Sequence, residues 1–518
     1  MPNVTIDGKS INVPDGATIL DAAQALGIVI PTLCFLKELL PLTSCMICVV
    51  AVAGRKNLLP ACGTVVQEGM VVLNDDPVVA TARRTALELL LSDHVGDCMG
   101  PCRIACPAGM DIPRMIRYIA EGRYDKAIEI VKEDIALPGV AGHICPAPCE
   151  NACRRGQIDE PIAICLLKRY AAELDLGKTS PYQPAVSPGC NKQVAIVGAG
   201  PAGLAAAYYL QRDGISCTVF DDQEEPGGML RYGVPDQDLP RPLLTAEIEQ
   251  IRRLGVVFKQ QVRIGIDLSI DKLLKTFDAV LLGIGNAAAK DLEALGFDPG
   301  HVPLHVTQNT YQTDIPGVFA GGDVRRKLRL TARSLGDGRE AAVCIAQFLK
   351  GEPVTGSKRP FNSRMGKLEP EELAQMADPA GTDDRIQPLD RHKGLVEEQV
   401  RREAVRCLHC DCHKAASCKL RMYAREYGAK ATQYRGKHRP FVRMNEHPDL
   451  VYESGKCISC GICVRITEQQ REKLGLTFIG RGFDVKVAVP FNQSIKEGLT
   501  RTAHEVVTAC PTGALAFK

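Results

Sequence analysis

The chain has 518 residues and a net charge of +2, with 63 Lys and Arg against 61 Asp and Glu. Nothing global therefore points to nucleic acid or to an anionic membrane surface. The length allows about three to five domains, and no apolar run reaches the roughly 18 residues that a membrane-spanning helix needs.

The unusual count is 22 Cys. The start of the chain, Met1 to Gly8, has no basic region followed by an apolar one. Clustered cysteines in such a chain are expected to be metal ligands rather than disulfides, in a reducing cytoplasmic setting. Residues 1–90 open with a hairpin pattern, Val4 to Asn12, and a helix expected near Ala17. Cys34, Cys45, Cys48 and Cys62 follow, with gaps of ten, two and thirteen residues. Four thiolates with a long first gap suit a [2Fe–2S] cluster wrapped by a surface loop. Structural zinc is the rival, although its loops usually pair two short knuckles. The spacing resembles the N-terminal domain of the large iron–sulfur subunit of respiratory NADH dehydrogenase. It also resembles the small diaphorase subunit of NAD-linked hydrogenases. The resemblance implies a β-grasp [2Fe–2S] ferredoxin domain.

Residues 91–185 bring His94, Cys98, Cys102 and Cys106-Pro107, then Cys145, Cys149 and Cys153 within H-I-C-P-A-P-C-E-N-A-C. In the NADH dehydrogenase relatives, a His-x3-Cys start opens a [4Fe–4S] site held by one histidine and three cysteines. From Cys106 onward the chain instead resembles the glutamate synthase small subunit and the N-terminal domain of dihydropyrimidine dehydrogenase. These are α-helical domains with two [4Fe–4S] clusters on interleaved cysteines. That resemblance implies one cluster on Cys98, Cys102 and Cys153 and another on Cys106, Cys145 and Cys149. His94, near the place of the family's first cysteine, is expected to complete the first; the alternative is a surface-loop histidine. Cys165 stands one turn from the family's last ligand and is expected to complete the second; the alternative is a buried apolar cysteine. Cys190, Cys217 and Cys344 are isolated and are read as non-ligands.

After a proline-rich linker, residues 191–355 begin a dinucleotide fold. Four apolar residues, Val194 to Val197, run into Gly198, Gly200-Pro201-Ala202-Gly203 and an apolar helix. These glycines permit a tight turn, close approach to a pyrophosphate, and close packing of helix on strand. Asp221 ends the next strand, where a carboxylate can hold a ribose hydroxyl. Gly227-Gly228-Met229-Leu230-Arg231 matches the flavin-side loop of the glutamate synthase family. A buried strand closes on Gly285, and Ile315 to Val324 resembles the second FAD fingerprint, with Gly322 and Asp323. A helix expected to start near Gly338 would aim its N-terminus at the flavin. The resemblance thus implies FAD. In that family a second dinucleotide domain, which binds NADPH, separates the two fingerprints. Here only about 30 residues lie between Asn286 and Gly317, without a glycine fingerprint. NAD(P)H binding beside the flavin is therefore not expected.

Residues 356–430 read as connecting segments, a short acidic helix and a second helix leading into Cys407, Cys410, Cys412 and Cys418. Zinc is the rival there. Cys418 followed by Lys-Leu-Arg is similar to the close of the one-histidine, three-cysteine segment of the NADH dehydrogenase subunit. His409 and His413 are read as outer residues. Residues 431–518 carry Cys457, Cys460 and Cys463 at two-residue gaps, with Cys510-Pro511 far downstream. Thr467 stands where a two-cluster ferredoxin has its next cysteine, so one [4Fe–4S] cluster is expected in a ferredoxin-like domain.

The expected architecture is multidomain α/β plus α+β. It combines the β-grasp ferredoxin domain, the helical double-cluster domain, a Rossmann-like FAD domain and the C-terminal ferredoxin-like domain. Cofactors are expected to be FAD, one [2Fe–2S] and about four [4Fe–4S] clusters. The expected role is an electron-transfer subunit of an oxidoreductase complex, with no catalytic side chains of its own. Its partners would be an NAD(P)H-linked flavoprotein and a hydrogenase, formate or aldehyde dehydrogenase. The alternative is a self-sufficient NAD(P)H:acceptor oxidoreductase of the glutamate synthase small-subunit type.

Overall fold

The structure, a computed structural model, describes residues 1–326, 330–388, 390, 392–434, 436 and 439–518. Leu389 and Arg391, in the second connecting segment, lie outside them. The chain divides into two compact units. The first gathers Met1–Met99, Pro360–Pro379 and His409–Lys518; the second gathers Gly100–Arg359 and Ala380–Leu408.

The first unit begins with a five-stranded sheet of β1 (Asn3–Ile6), β2 (Lys9–Asn12), β3 (Val49–Val52), β4 (Leu59–Pro60) and β5 (Met70–Leu73), ordered β2-β1-β5-β3-β4. Asp7 and Gly8 both take positive φ, 46° and 80°, which is the turn a two-residue hairpin demands. Val4, Ile6, Met70 and Val72 point to the buried face, each burial contributing roughly 1.5–3 kcal/mol. Helix Ile19–Ala25 covers that face. It starts at Ile19 rather than Ala17 because Thr18 and Asp21 form a reciprocal cap. Helix Pro77–Ser92 is capped by Asp76 and runs toward His94. Farther on, Arg443–Met444, Leu450–Glu453 and Leu515–Phe517 form a three-stranded antiparallel sheet. Helices Ile462–Gln469 and Ala503–Ala509 share its apolar core.

The second unit opens with short helices. Ile112, Met115, Ile116 and Ile119 recur at helical spacing and are buried along one face of Ile112–Ala120. Helix Ile164–Leu176 turns Cys165, Leu167 and Lys168 inward. The all-parallel sheet follows: β6 (Gln193–Val197), β7 (Ser216–Phe220), β8 (Val257–Lys259), β9 (Ala279–Leu282) and β10 (Val318–Ala320), ordered β10-β9-β6-β7-β8. Val194 and Ile196 join one apolar core, Ala195 and Val197 another, so both faces are buried and the strand reads as an unbroken apolar run.

Helix Thr331–Leu349 packs on helix Pro201–Arg212. It begins seven residues before Gly338, so that glycine does not start a helix as expected. A Cβ at Gly338 would lie 2.2 Å from the Ala202 carbonyl oxygen, and one at Gly203 would lie 1.9 Å from that of Gly198. These glycines permit close helix crossing and close turn packing. Among the described residues no helix is long and apolar enough to cross a membrane.

Candidate metal and nucleotide sites

The cysteines of the first loop come together as two pairs. Cys34 is hydrogen-bonded to Cys45, and Cys48 Sγ lies 3.3 Å from Cys62 Sγ. A two-iron cluster is held by four thiolates, two on each iron, so paired thiols fit it. The hydrogen bond to its neighbour, then burial, pushes Cys45 far above the ordinary thiol value, and Cys62 likewise. Two thiolates in contact cannot both ionise unless a cation neutralises them. Bound iron has that effect.

Cys457, Cys460, Cys463 and Cys510 line a small cavity together with Tyr452, Val487 and Pro511. Burial raises Cys457 to about 11 and Cys460 to about 12. Thr467 is buried and occupied locally, donating to the Val464 carbonyl at 2.8 Å and accepting from Leu476 N at 3.0 Å. Cys460 is within electrostatic reach of Cys34, and Cys510 of Cys418.

Cys98 meets cysteines outside the set expected for it. Cys98 is in electrostatic reach of Cys412 and Cys418, and all three belong to the first unit, whereas Cys102 and Cys153 belong to the second. Cys98 Sγ also lies 3.4 Å from Ser363 Oγ. Burial, then the neighbouring Lys456 ammonium, lowers His94 to about 4, so the ring is neutral near pH 7. Its Nδ1 is shut off from solvent without a hydrogen-bond partner. A buried imidazole nitrogen left in that state fits a metal ligand. Lys456 and Glu453 form a buried ion pair beside it, and Arg443 holds the same carboxylate at 2.9 Å. Burial opposes the Glu453 charge, but these two cations hold the carboxyl at about 2. Sequence reading passed over Lys456; its place directly before Cys457 was the available signal.

In the second unit, Cys145 is hydrogen-bonded to Cys165, which also bonds Cys149. The Lys168 ammonium is within electrostatic reach of Cys165, Cys145, Cys106 and Cys149. Burial lowers the Lys168 affinity for its proton, but these thiols outweigh it and raise the value. Lys168 was also missed, although it follows Cys165 by one helical turn. Arg155, two residues after Cys153, donates to the carbonyl of Arg406, the residue before Cys407, at 3.1 Å, while Cys102, Cys153 and Cys407 pack on the same core. Cys410 falls in the first unit. Cys217 and Cys344 are buried among apolar groups, and Cys190 is exposed. Among the described residues, no three His, Cys, Asp or Glu side chains are drawn together tightly enough for a single metal ion. The thiols of a four-iron cluster stand farther apart, because each bonds a different iron.

The glycine elements converge at the carboxyl edge of the parallel sheet, where such sheets bind nucleotides. Gly198, Gly200 and Pro201-Ala202-Gly203 form the turn after β6. Asp221 is buried at the end of β7. Its carboxylate accepts from Ala199 N at 2.5 Å and Gln223 N at 2.9 Å. Burial raises its affinity for a proton, while these amides work against that. Gly227 N donates to the Ala199 carbonyl at 2.9 Å, and a Cβ on Gly228 would lie 2.9 Å from Gly200 Cα. Met229 and Tyr232 stay exposed, while Leu230 is buried and Arg231 pairs with Glu225 at 2.6 Å. Gly322 packs against Ala202. Asp337, another residue sequence reading missed, accepts from Gly322 N at 3.3 Å and Tyr311 Oη at 3.1 Å. Asp323 lies beside Gly322 on the same turn, and Gly285 adopts a positive φ of 71° after β9. Between Ala287 and Pro316 the chain forms one short helix, Ala289–Ala294, and no named strand.

Comparison with known families matches residues 2–77 to a 2Fe-2S iron-sulfur cluster binding domain and residues 93–179 to dihydropyrimidine dehydrogenase domain II, 4Fe-4S cluster. Residues 196–243 match an NAD(P)-binding Rossmann-like domain. The chain is 38% identical over 253 residues to the NADP(+)-dependent formate dehydrogenase subunit beta of Moorella thermoacetica, covering 45% of this chain and 35% of that protein. It is 42% identical over 205 residues to the NADPH-Fe(3+) oxidoreductase subunit beta of Geobacter sulfurreducens, covering 39% and 30%. It is 38% identical over 203 residues to the glutamate synthase [NADPH] small chain of Mycobacterium tuberculosis, covering 39% and 41%. The chain thus spans roughly a third of the length of the first relatives it matches. Three segments of the chain are thus similar to a 2Fe-2S domain, a 4Fe-4S domain and a Rossmann-like domain.

Proposed function

We propose that this chain is an electron-transfer subunit of a multisubunit oxidoreductase, holding FAD, one [2Fe–2S] and about four [4Fe–4S] clusters. The layout would be a β-grasp ferredoxin domain, a helical two-cluster domain, an FAD domain without its nicotinamide subdomain, and a C-terminal ferredoxin-like domain. When bound, the clusters supply single-electron steps and the flavin exchanges electron pairs for single electrons.

Cys34 with Cys45 and Cys48 with Cys62 would hold the two-iron cluster. One four-iron site would use Cys457, Cys460, Cys463 and Cys510. Another would use His94, Cys98, Cys412 and Cys418, which replaces the expected grouping of His94 with Cys102 and Cys153. In the second unit, Cys106, Cys145, Cys149 and Cys165 would hold a third, and Cys102, Cys153 and Cys407 would serve a further one. Neutral His94 would bring less negative charge to its site than a thiolate. Asp221 would orient a ribose hydroxyl, and the free N–H groups starting helix Pro201–Arg212 would face the pyrophosphate. Asp337 would keep the Gly322 turn, with Asp323, in place. FAD rather than a nicotinamide is favoured because the Gly227–Arg231 loop and the Gly322 turn both close on the first glycine turn.

The observation that carries the reading is the continuity of ligand groups within the first unit. Cys34 is within electrostatic reach of Cys460, and Cys510 of Cys418. Such a series serves relay rather than turnover of a bound substrate. The partners would be an NAD(P)H-linked flavoprotein and a hydrogenase, formate or aldehyde dehydrogenase, with the assembly in the cytoplasm. The test is anaerobic stopped-flow on the isolated chain with flavin bound. Dithionite should bleach the flavin, whereas NADH and NADPH should not, because residues 287–316 cannot hold a nicotinamide against it. Rapid bleaching by either nucleotide would establish the self-sufficient oxidoreductase instead.

A further inference from the structure

Three lysines are buried among the described residues: Lys132, Lys168 and Lys456. Two obey the rule that a buried charge is paired. Lys132 Nζ lies 2.9 Å from Asp175 Oδ2 and donates to the Tyr182 carbonyl at 2.7 Å. Lys456 is paired with Glu453. Lys168 is 4% exposed, and among the described residues its hydrogen-bond partner is a sulfur, Cys165 Sγ at 3.9 Å. Its electrostatic neighbours are the thiols of Cys165, Cys145, Cys106 and Cys149. Glu247 is also within electrostatic reach, but its carboxylate is committed to Gly139 N at 2.7 Å and Val140 N at 2.8 Å.

The helix explains the placement. Lys168 follows Cys165 by three residues on Ile164–Leu176, so both side chains leave the same face. An ammonium has three N–H donors, and the hydrogen-bond partner it has here is the Cys165 sulfur. The other charged groups of this helix face elsewhere: Arg169 bonds Glu173 at 2.7 Å, and Asp175 bonds Lys132.

We infer that Lys168 sets the reduction potential of the [4Fe–4S] cluster on Cys106, Cys145, Cys149 and Cys165. The inference rests on that proposed ligand set. Four thiolates make such a cluster anionic, and accepting one electron makes it more so. A fixed positive charge beside a ligand sulfur, away from water, stabilises the reduced form more than the oxidised form and raises the potential. The electron comes from the proposed flavin or from a chemical reductant, and no proton need move. The site is well placed for the flavin side. Cys106 is followed by Pro107, whose carbonyl oxygen would lie 2.7 Å from a Cβ on Gly336, in the helix that packs along the glycine turn. A cluster with a raised potential there would draw electrons away from the flavin and hold them.

The experiment is an EPR-monitored redox titration of the whole anaerobic protein. Cys165→Ser identifies the signal of this site. Lys168→Met and Lys168→Gln should shift its midpoint downward by at least the tenfold change in equilibrium that corresponds to about 59 mV for a one-electron couple. Lys168→Arg should stay at the wild-type value. An unchanged midpoint in both neutral variants overturns the inference while leaving the ligand set intact. Loss of the site's iron in the neutral variants but not in Lys168→Arg supports it. Loss in Lys168→Arg as well overturns it, since charge would not be the property required. If Cys165→Ser alters neither iron content nor any signal, the ligand set fails and the inference falls with it.

Discussion

Gly513→Ala tests the site on His94, Cys98, Cys412 and Cys418 without touching a ligand. A Cβ at residue 513 would lie 2.2 Å from Cys412 Sγ, and its next neighbour, Lys456 Cδ, is 3.7 Å away. The Gly513 backbone is not in the left-handed region, so the added methyl acts by contact alone. Ordinary contact requires roughly 3.5 Å or more, so the sulfur must retreat by on the order of 1 Å. A metal–ligand bond tolerates only about 0.2 Å. Gly513→Ala should therefore cost this site its cluster, about four of roughly 18 irons. The assay is iron content with low-temperature EPR on anaerobic protein. The signal lost should be the one lost in His94→Ala and Cys98→Ser, and His94→Cys should keep a cluster. Two results would refute the reasoning. One is an unaltered spectrum in Gly513→Ala. The other is a loss in His94→Ala that matches Cys102→Ser and not Gly513→Ala.

Native anaerobic protein should carry about 18 iron atoms and one FAD; iron near two with stoichiometric zinc would end the relay reading. Burial raises the carboxyl of Glu247 to about 7 despite the two amides it accepts from. A carboxyl whose folded value lies above its ordinary one favours the folded state at low pH, and that advantage fades as pH climbs from about 4.5 to about 7, by roughly 3 kcal/mol in all. Thermal unfolding of wild type and Glu247→Gln between about pH 5.5 and 7.5 should show the loss in wild type only; parallel pH profiles would contradict it.

Iron–sulfur and dinucleotide signatures are local in the chain, because a loop or a strand–turn–helix must present several ligands from neighbouring residues. That is why the loop cysteines, the Cys457 to Cys463 run and the Gly198 to Gly203 turn could be read directly. The Asp7-Gly8 hairpin was equally legible, since turn geometry constrains adjacent residues. Partition of ligands among sites is not local. His94-x3-Cys98 and Cys412-x5-Cys418 each looked like part of one motif, but the intervening residues 99–411 separate them. The resemblance to the glutamate synthase small subunit grouped Cys98 with Cys102 and Cys153. The proposed grouping sets Cys98 with Cys412, which is within its electrostatic reach, because the first unit is assembled from distant stretches of chain. Gly338 misled as a helix start, because a glycine required by a neighbouring backbone looks the same in sequence as one required by a turn. Lys168 carried only the weak signal of its spacing from Cys165: a lysine on a helix is ordinarily solvated, and only tertiary packing buries its charge beside the Cys165 sulfur.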